Sequence, residues 1–127
     1  SHDQIIESFA PQEVDRVISS ETDKRVKEIL RGVVEEGTGR KAKIKGISVG
    51  GKTGTGQKVE GGTYSHSKFY ASFVGFAPVE NPQLAAVVVF DEPHPAYYGG
   101  TVAAPVFQEV IDNSLKYLST LEAGSDY

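Results

Sequence analysis

The sequence predicts an α+β fold, an antiparallel sheet with two helices packed on it, and three observations carry that expectation. The segment near 68–78 alternates with period two, placing Phe69, Ala71, Phe73 and Gly75 on one face and Tyr70, Ser72, Val74 and Phe76 on the other. Two stretches instead follow the helical period: Val26, Ile29, Leu30, Val33 and Val34, then Val106, Phe107, Val110, Ile111, Ser114, Leu115 and Leu118. Finally, Glu80-Asn81-Pro82-Gln83 is a short turn between apolar runs, which returns 84–91 antiparallel to 68–78.

Each element can be justified in order. The 127 residues, 39% hydrophobic and 24% charged, suit one compact domain with a modest core. Ser1-His2 reads as a cloning remnant, and Asp3 to Phe9 as an extended segment entering the domain. Ser20-Glu21-Thr22-Asp23 supplies an N-cap and first-turn acids for a helix from Glu21 to Glu36, and Gly37 ends it. Residues 38–43, with Arg40, Lys41 and Lys43, form a basic connection whose charges are read as solvent-facing. A strand over 43–55 follows, then a polar loop from Gln57 to Ser67. The longest apolar run, Leu84 to Phe90, has seven residues, reads as a buried central strand and is far short of a membrane span. Pro105 is placed in the first turn of a last helix running from Val102 to Leu121, and residues 122–127 read as a frayed tail.

Composition removes several functions. A net charge of −4 and no basic patch argue against nucleic acid or an anionic membrane surface as partner. Without cysteine there is no disulfide framework and no thiolate nucleophile. Asp91-Glu92-Pro93-His94-Pro95 reads as a loop, and histidines at 2, 66 and 94 lack ligand spacing, so neither metal nor other cofactor is expected.

The chemistry concentrates in Val49-Gly50-Gly51-Lys52-Thr53-Gly54-Thr55-Gly56. Glycine lets backbone lie flat against a ligand, and a cation with two short hydroxyls suits a carboxylate or an oxyanion. Gly46 to Thr53 also fits the letters of a phosphate loop. A phosphate loop must open a helix, whereas Gly54 to Gly62 has too much glycine and no helical period, so nucleotide binding is set aside.

Gly51-Lys52-Thr53-Gly54-Thr55, Phe73-Val74-Gly75-Phe76-Ala77-Pro78, Asn81-Pro82, Val87-Val88-Val89 and Gly99-Gly100 leading to Ala103-Ala104-Pro105-Val106-Phe107 together resemble the penicillin-binding proteins. The likeness runs from about Phe9 to Leu118 and is nearest to the C-terminal part of the transpeptidase domain of class B, monofunctional members. The resemblance implies the fold shared with serine β-lactamases, with residues 1–127 a partial domain. It implies a parent enzyme that cross-links peptidoglycan by serine acyl transfer at D-Ala-D-Ala and is acylated by β-lactams, anchored outside the cytoplasmic membrane. Carried over by motif, Lys52 sets the positive potential and proton affinities, and the Thr55 N–H is one oxyanion donor. By the same resemblance Thr53 hydrogen-bonds the substrate carboxylate, Gly54 lets the strand lie close to the substrate, and Gln57 and Tyr64 line the cleft.

The nucleophile is missing. No Ser-x-Asn occurs, and Ser65-His66-Ser67-Lys68, though it spells the nucleophile motif, follows Lys52 and opens a strand; Ser65 is read as a loop hydroxyl. The chain alone is therefore expected to be inactive, with a sheet face exposed for self-association. The alternative is a non-catalytic ligand-binding or β-lactam-sensing domain of the same fold.

Overall fold

The computed structural model describes residues 10–124, and their side chains as far as residue 121. The cloning remnant, the segment Asp3 to Phe9 and the last residues of the tail lie outside the described residues. Helix α1, Ser20–Glu35, is followed by a 3-10 turn at Arg40–Ala42. Strands β1 (Gly50–Glu60), β2 (Thr63–Ala77) and β3 (Leu84–Asp91) form one antiparallel sheet in the order β1-β2-β3, and helix α2, Gly99–Gly124, closes the chain.

The cap of α1 lies one residue earlier than the sequence reading placed it. Ser19 is the N-cap, its hydroxyl accepting from the Thr22 N–H at 3.1 Å. Gly37 does terminate the helix, its N–H reaching the carbonyls of Gly32 and Val33. Only the C-terminal end of the predicted apolar face is covered: Val34 is buried, while Ile29 remains 67% exposed.

The expected strand over 43–55 is corrected at both ends. Residues 43–49 are a turn, bent where Gly46 takes a φ of +79° and carrying an isolated bridge from Ile44 to Ile47. Ile44 and Val49 are still core residues, which is why they mimicked a strand. The strand instead continues through Glu60, and the expected loop from Gln57 to Ser67 is the tip of a hairpin. Gly61 and Gly62, at φ +59° and +83°, make the two-residue turn that such hairpins favour.

In β2 the alternation holds: Ala71, Phe73, Gly75 and Ala77 are buried, while Tyr70 and Val74 point outward; β3, expected as a buried central strand, is instead an edge of the sheet with Val87 and Val89 exposed. Phe73 meets Phe107 of α2 at 4.8 Å between ring centroids, tilted by 55°, in a core shared with Val34, Ala103, Ala104 and Ile111. The inner face of α2 is thus Ala103, Ala104, Phe107 and Ile111, and the expected core residues Val106 and Val110 sit on its exposed rim. Helix α2 starts three residues before Val102 and runs on to Gly124, taking in three residues of the expected frayed tail, so Pro105 lies within it and not in its first turn. A proline there has no N–H for the carbonyl of Thr101 four residues back.

Candidate functional site

Strand β1 is an edge of the sheet, and its register decides which way each side chain faces. Thr53 lies opposite Phe73 and Thr55 opposite Ala71, so both hydroxyls are on the face covered by α2. Lys52 and Gly54, opposite Val74 and Ser72, are on the open face. The lysine reaches back around the strand edge: its Nζ donates to the Thr53 carbonyl at 3.1 Å and lies 3.5 Å from Thr53 Oγ1.

Two distant segments complete the neighbourhood. The chain leaving α1 is tied down by Arg40, whose guanidinium donates to the Glu36 carbonyl at 2.6 and 3.1 Å, so this arginine caps α1. Thr38 thereby comes beside β1, with Oγ1 3.1 Å from that of Thr53. From the other side, the Gly99 N–H at the start of α2 donates to Thr55 Oγ1 at 3.2 Å. Gly99 can approach so closely because it has no Cβ; one would press on the carbonyl oxygens of Ser72 and Gly54.

Thr38, Arg40, Lys41, Thr53, Thr55, Tyr98, Gly100 and Thr101 line a pocket of about 350 Å³. Its walls offer hydroxyls, a lysine and an aromatic ring, and Thr55 Oγ1 accepts one hydrogen bond from Gly99 with its proton left to donate. This is an anion-accepting surface. Tyr98 belongs to an aromatic stack in which Tyr97 lies 4.2 Å from Phe69 and 4.5 Å from Tyr98. The Tyr97 hydroxyl donates to that of Tyr98 at 3.3 Å, which raises its pKa above the usual phenol value.

The structure brings Lys52, Thr53, Gly54 and Thr55 together, with Gln57 two residues further along the same strand. Of the residues expected in the site, Thr53 and Thr55 line the pocket while Lys52, Gly54 and Gln57 do not, and Tyr64 is placed furthest off, opposite Val59 near the hairpin turn. Thr38, Tyr98 and Thr101 were missed, and Arg40 and Lys41, read as solvent-facing, stand at the pocket rim. The available signal was Gly99-Gly100 just before a helix, a sign of close backbone approach. Ser65 is in strand β2, not a loop, and is 9% exposed. Its oxygen accepts from the N–H groups of Ser67 and Lys68, and the Lys68 ammonium is held by Glu60. A serine with its lysine turned away is a structural hydroxyl. Among the described residues no group of His, Asp and Glu could hold a metal, and no helix is long and apolar enough to cross a membrane.

Known proteins share these features. The family described as penicillin binding protein transpeptidase domain matches residues 3–112. The stage V sporulation protein D of Bacillus subtilis is 47% identical over 104 residues, covering 81% of this chain and 16% of that protein. A probable peptidoglycan D,D-transpeptidase, PenA of Neisseria flavescens, is 46% identical over 105 residues, covering 81% of this chain and 26% of the relative. Among solved structures, penicillin-binding protein 3 of Mycobacterium tuberculosis complexed with ampicillin superposes with a TM-score of 0.78 at 30% identity, covering 88% of this chain and 27% of that one. The chain thus spans about a sixth to about a quarter of these curated relatives. A sheet of this topology, a lysine and two threonines converging on its edge, and a family match over most of the length agree: the chain belongs to the penicillin-binding protein transpeptidase domain family.

Proposed function

We propose that this chain forms one wall of the active site of a class B peptidoglycan D,D-transpeptidase, acting on the outer side of the cytoplasmic membrane. The observation that carries the reading is the convergence of Lys52, Thr53 and Thr55 on a free sheet edge, with the Thr55 oxygen already accepting from Gly99. In the reaction, a serine oxygen attacks the carbonyl of the penultimate D-alanine, its proton passes through the site to the leaving amine, and D-alanine departs. An amine of a second stem peptide then displaces the serine oxygen. A β-lactam enters the same first step through its strained amide.

The hydroxyls of Thr53 and Thr55 donate to the substrate carboxylate, and Lys52 supplies positive potential beside it. The Thr55 N–H serves as one oxyanion donor. Supporting this, Lys52 takes the Thr53 carbonyl on the strand edge, and backbone groups two residues on point the same way. A donor of this kind is worth about 3 to 4 kcal/mol of barrier. No serine of this wall is the nucleophile: Ser65 is used by the backbone of its own strand. Donors without a nucleophile give little acceleration, so the chain by itself is inactive. The exposed β3 face, with Val87 and Val89 at 65% and 58%, and the free edge beside it favour self-association.

Intact mass after incubation with benzylpenicillin tests the reading, on this chain and on a version extended upstream through the whole domain. An adduct only on the longer protein is expected. An adduct on the short chain would reinstate Ser65, and none on either would leave a binding module without acyl transfer.

A further inference from the structure

We infer that Thr38 is a positioning residue which fixes the direction of the Thr53 hydroxyl proton and so tunes recognition of the substrate carboxylate. The inference rests on the proposed role of Thr53 as a carboxylate donor.

The Thr53 hydroxyl has one proton to give and two lone pairs to fill. Lys52, which can only donate, lies 3.5 Å from one side of it. Thr38 Oγ1 lies 3.1 Å away on another, and among the described residues the Thr38 hydroxyl has no other protein partner. With Thr38 donating, both lone pairs of Thr53 are occupied and its proton is left for a ligand. At Thr55 the Gly99 N–H fills one lone pair, and with Thr38 donating to Thr53 the protons of both threonines are left for the ligand. If Thr38 accepted instead, the Thr53 proton would be spent inside the protein.

Thr38 is well held for this task. Its neighbour Gly39 is buried and donates to the Val33 carbonyl at 3.0 Å, while Arg40 grips the Glu36 carbonyl. On the far side the Thr38 carbonyl abuts Gly100, where a Cβ would collide with it. Thr38 therefore sits between the end of α1 and the start of α2, fifteen residues before the hydroxyl it orients. Nothing in the Lys-Thr-Gly stretch itself indicates this partner.

The experiment is a double-mutant cycle in the intact parent transpeptidase, with Thr38→Val, Thr53→Val and both together. Acylation rate constants are measured with benzylpenicillin and with its methyl ester, and the carboxylate-over-ester ratio is the readout. Thr53→Val should lower the ratio about tenfold, and Thr38→Val about fivefold, as for weakened hydrogen bonds to a charged group. The double variant should match Thr53→Val alone, because Thr38 acts only through Thr53. Thr38→Ala, which also lacks the hydroxyl but differs in bulk, should give the same ratio as Thr38→Val and guards against a folding defect in either. An unchanged ratio in Thr38→Val, or an equal further loss in the Thr53→Val background, overturns the role of Thr38. If Thr53→Val leaves the ratio intact, the carboxylate role of Thr53 falls first and the positioning role with it.

Discussion

Replacing Gly99 by alanine is a sharp test of how the site is assembled, because two physical effects predict opposite signs. Gly99 is the first residue of α2, and helix propensity alone favours alanine over glycine by about 0.5 to 1 kcal/mol. The packing says otherwise. A Cβ at this position would stand 2.5 Å from the Gly54 carbonyl oxygen and closer still to that of Ser72. Comfortable contact needs about 3.5 Å, so the helix start must retreat by roughly 1 Å from both strands. Both obstacles are backbone and cannot turn aside as a side chain would. Overpacking of this sort costs about 1 to 3 kcal/mol, and losing the Gly99 to Thr55 hydrogen bond adds about 1 kcal/mol. Net of propensity, Gly99→Ala should destabilise by about 2 kcal/mol, or roughly 7 °C in melting temperature for a domain of this size. Urea unfolding of the 127-residue chain at low concentration measures it, with Gly56→Ala as the control. A Cβ at Gly56 meets nothing within 4 Å, so that variant should stay within about 0.5 kcal/mol. A Gly99→Ala protein as stable as the parent, or more so, would refute the close packing of α2 on β1.

Two further outcomes are expected. Glu60 is held below the ordinary glutamate pKa by its hydrogen bond from Lys68 and secondarily by Ser65. A carboxylate lowered in the folded state contributes stability above its unfolded value, near 4.3, and loses it as pH falls through the folded value. Lys68→Gln should therefore lower stability slightly above about pH 4.3, where the pair is intact, and lose that deficit as the pH falls, so the acid side of the profile flattens and the unfolding midpoints of the two proteins converge at low pH. On the opposite face, Val89→Lys should reduce any self-association seen by light scattering, since a charge on an exposed edge strand opposes pairing; an unchanged apparent mass would remove the β3 face as its cause.

Legibility in the sequence followed burial. The alternation through Phe69 and Ala77 could be read because one face of β2 goes under Phe107 and its neighbours. The extension of β1 to Glu60 could not, because Lys58, Glu60, Thr63 and Tyr64 carry no apolar alternation at the hairpin tip. That tip is held by charge: the Lys58 ammonium sits 2.6 Å from Asp91, 2.7 Å from Glu92 and 4.7 Å above the Tyr70 ring. Its pKa is raised mainly by the hydrogen bond to Asp91, then by that to Glu92. Such pairings are invisible in a periodicity count. The same division applies to the site. Lysine, threonine and glycine announce their chemistry where they stand, whereas Thr38 and Gly99 matter only because folding brings α1's exit and α2's start to the same strand.

Pro105 gives α2 a mechanical character that its uninterrupted helical trace conceals. The hydrogen-bonding rung between positions 101 and 105 is missing, because proline has no proton to offer the Thr101 carbonyl. Gly99 to Thr101 are instead attached sideways, through Gly99 to Thr55 and through Gly100 against Thr38. Ala103 to Ile111 are anchored downward, in the shared core. One continuous helix thus has two anchorages, a head tied to the edge strand and a shaft seated in the core, with one backbone hydrogen bond fewer between them.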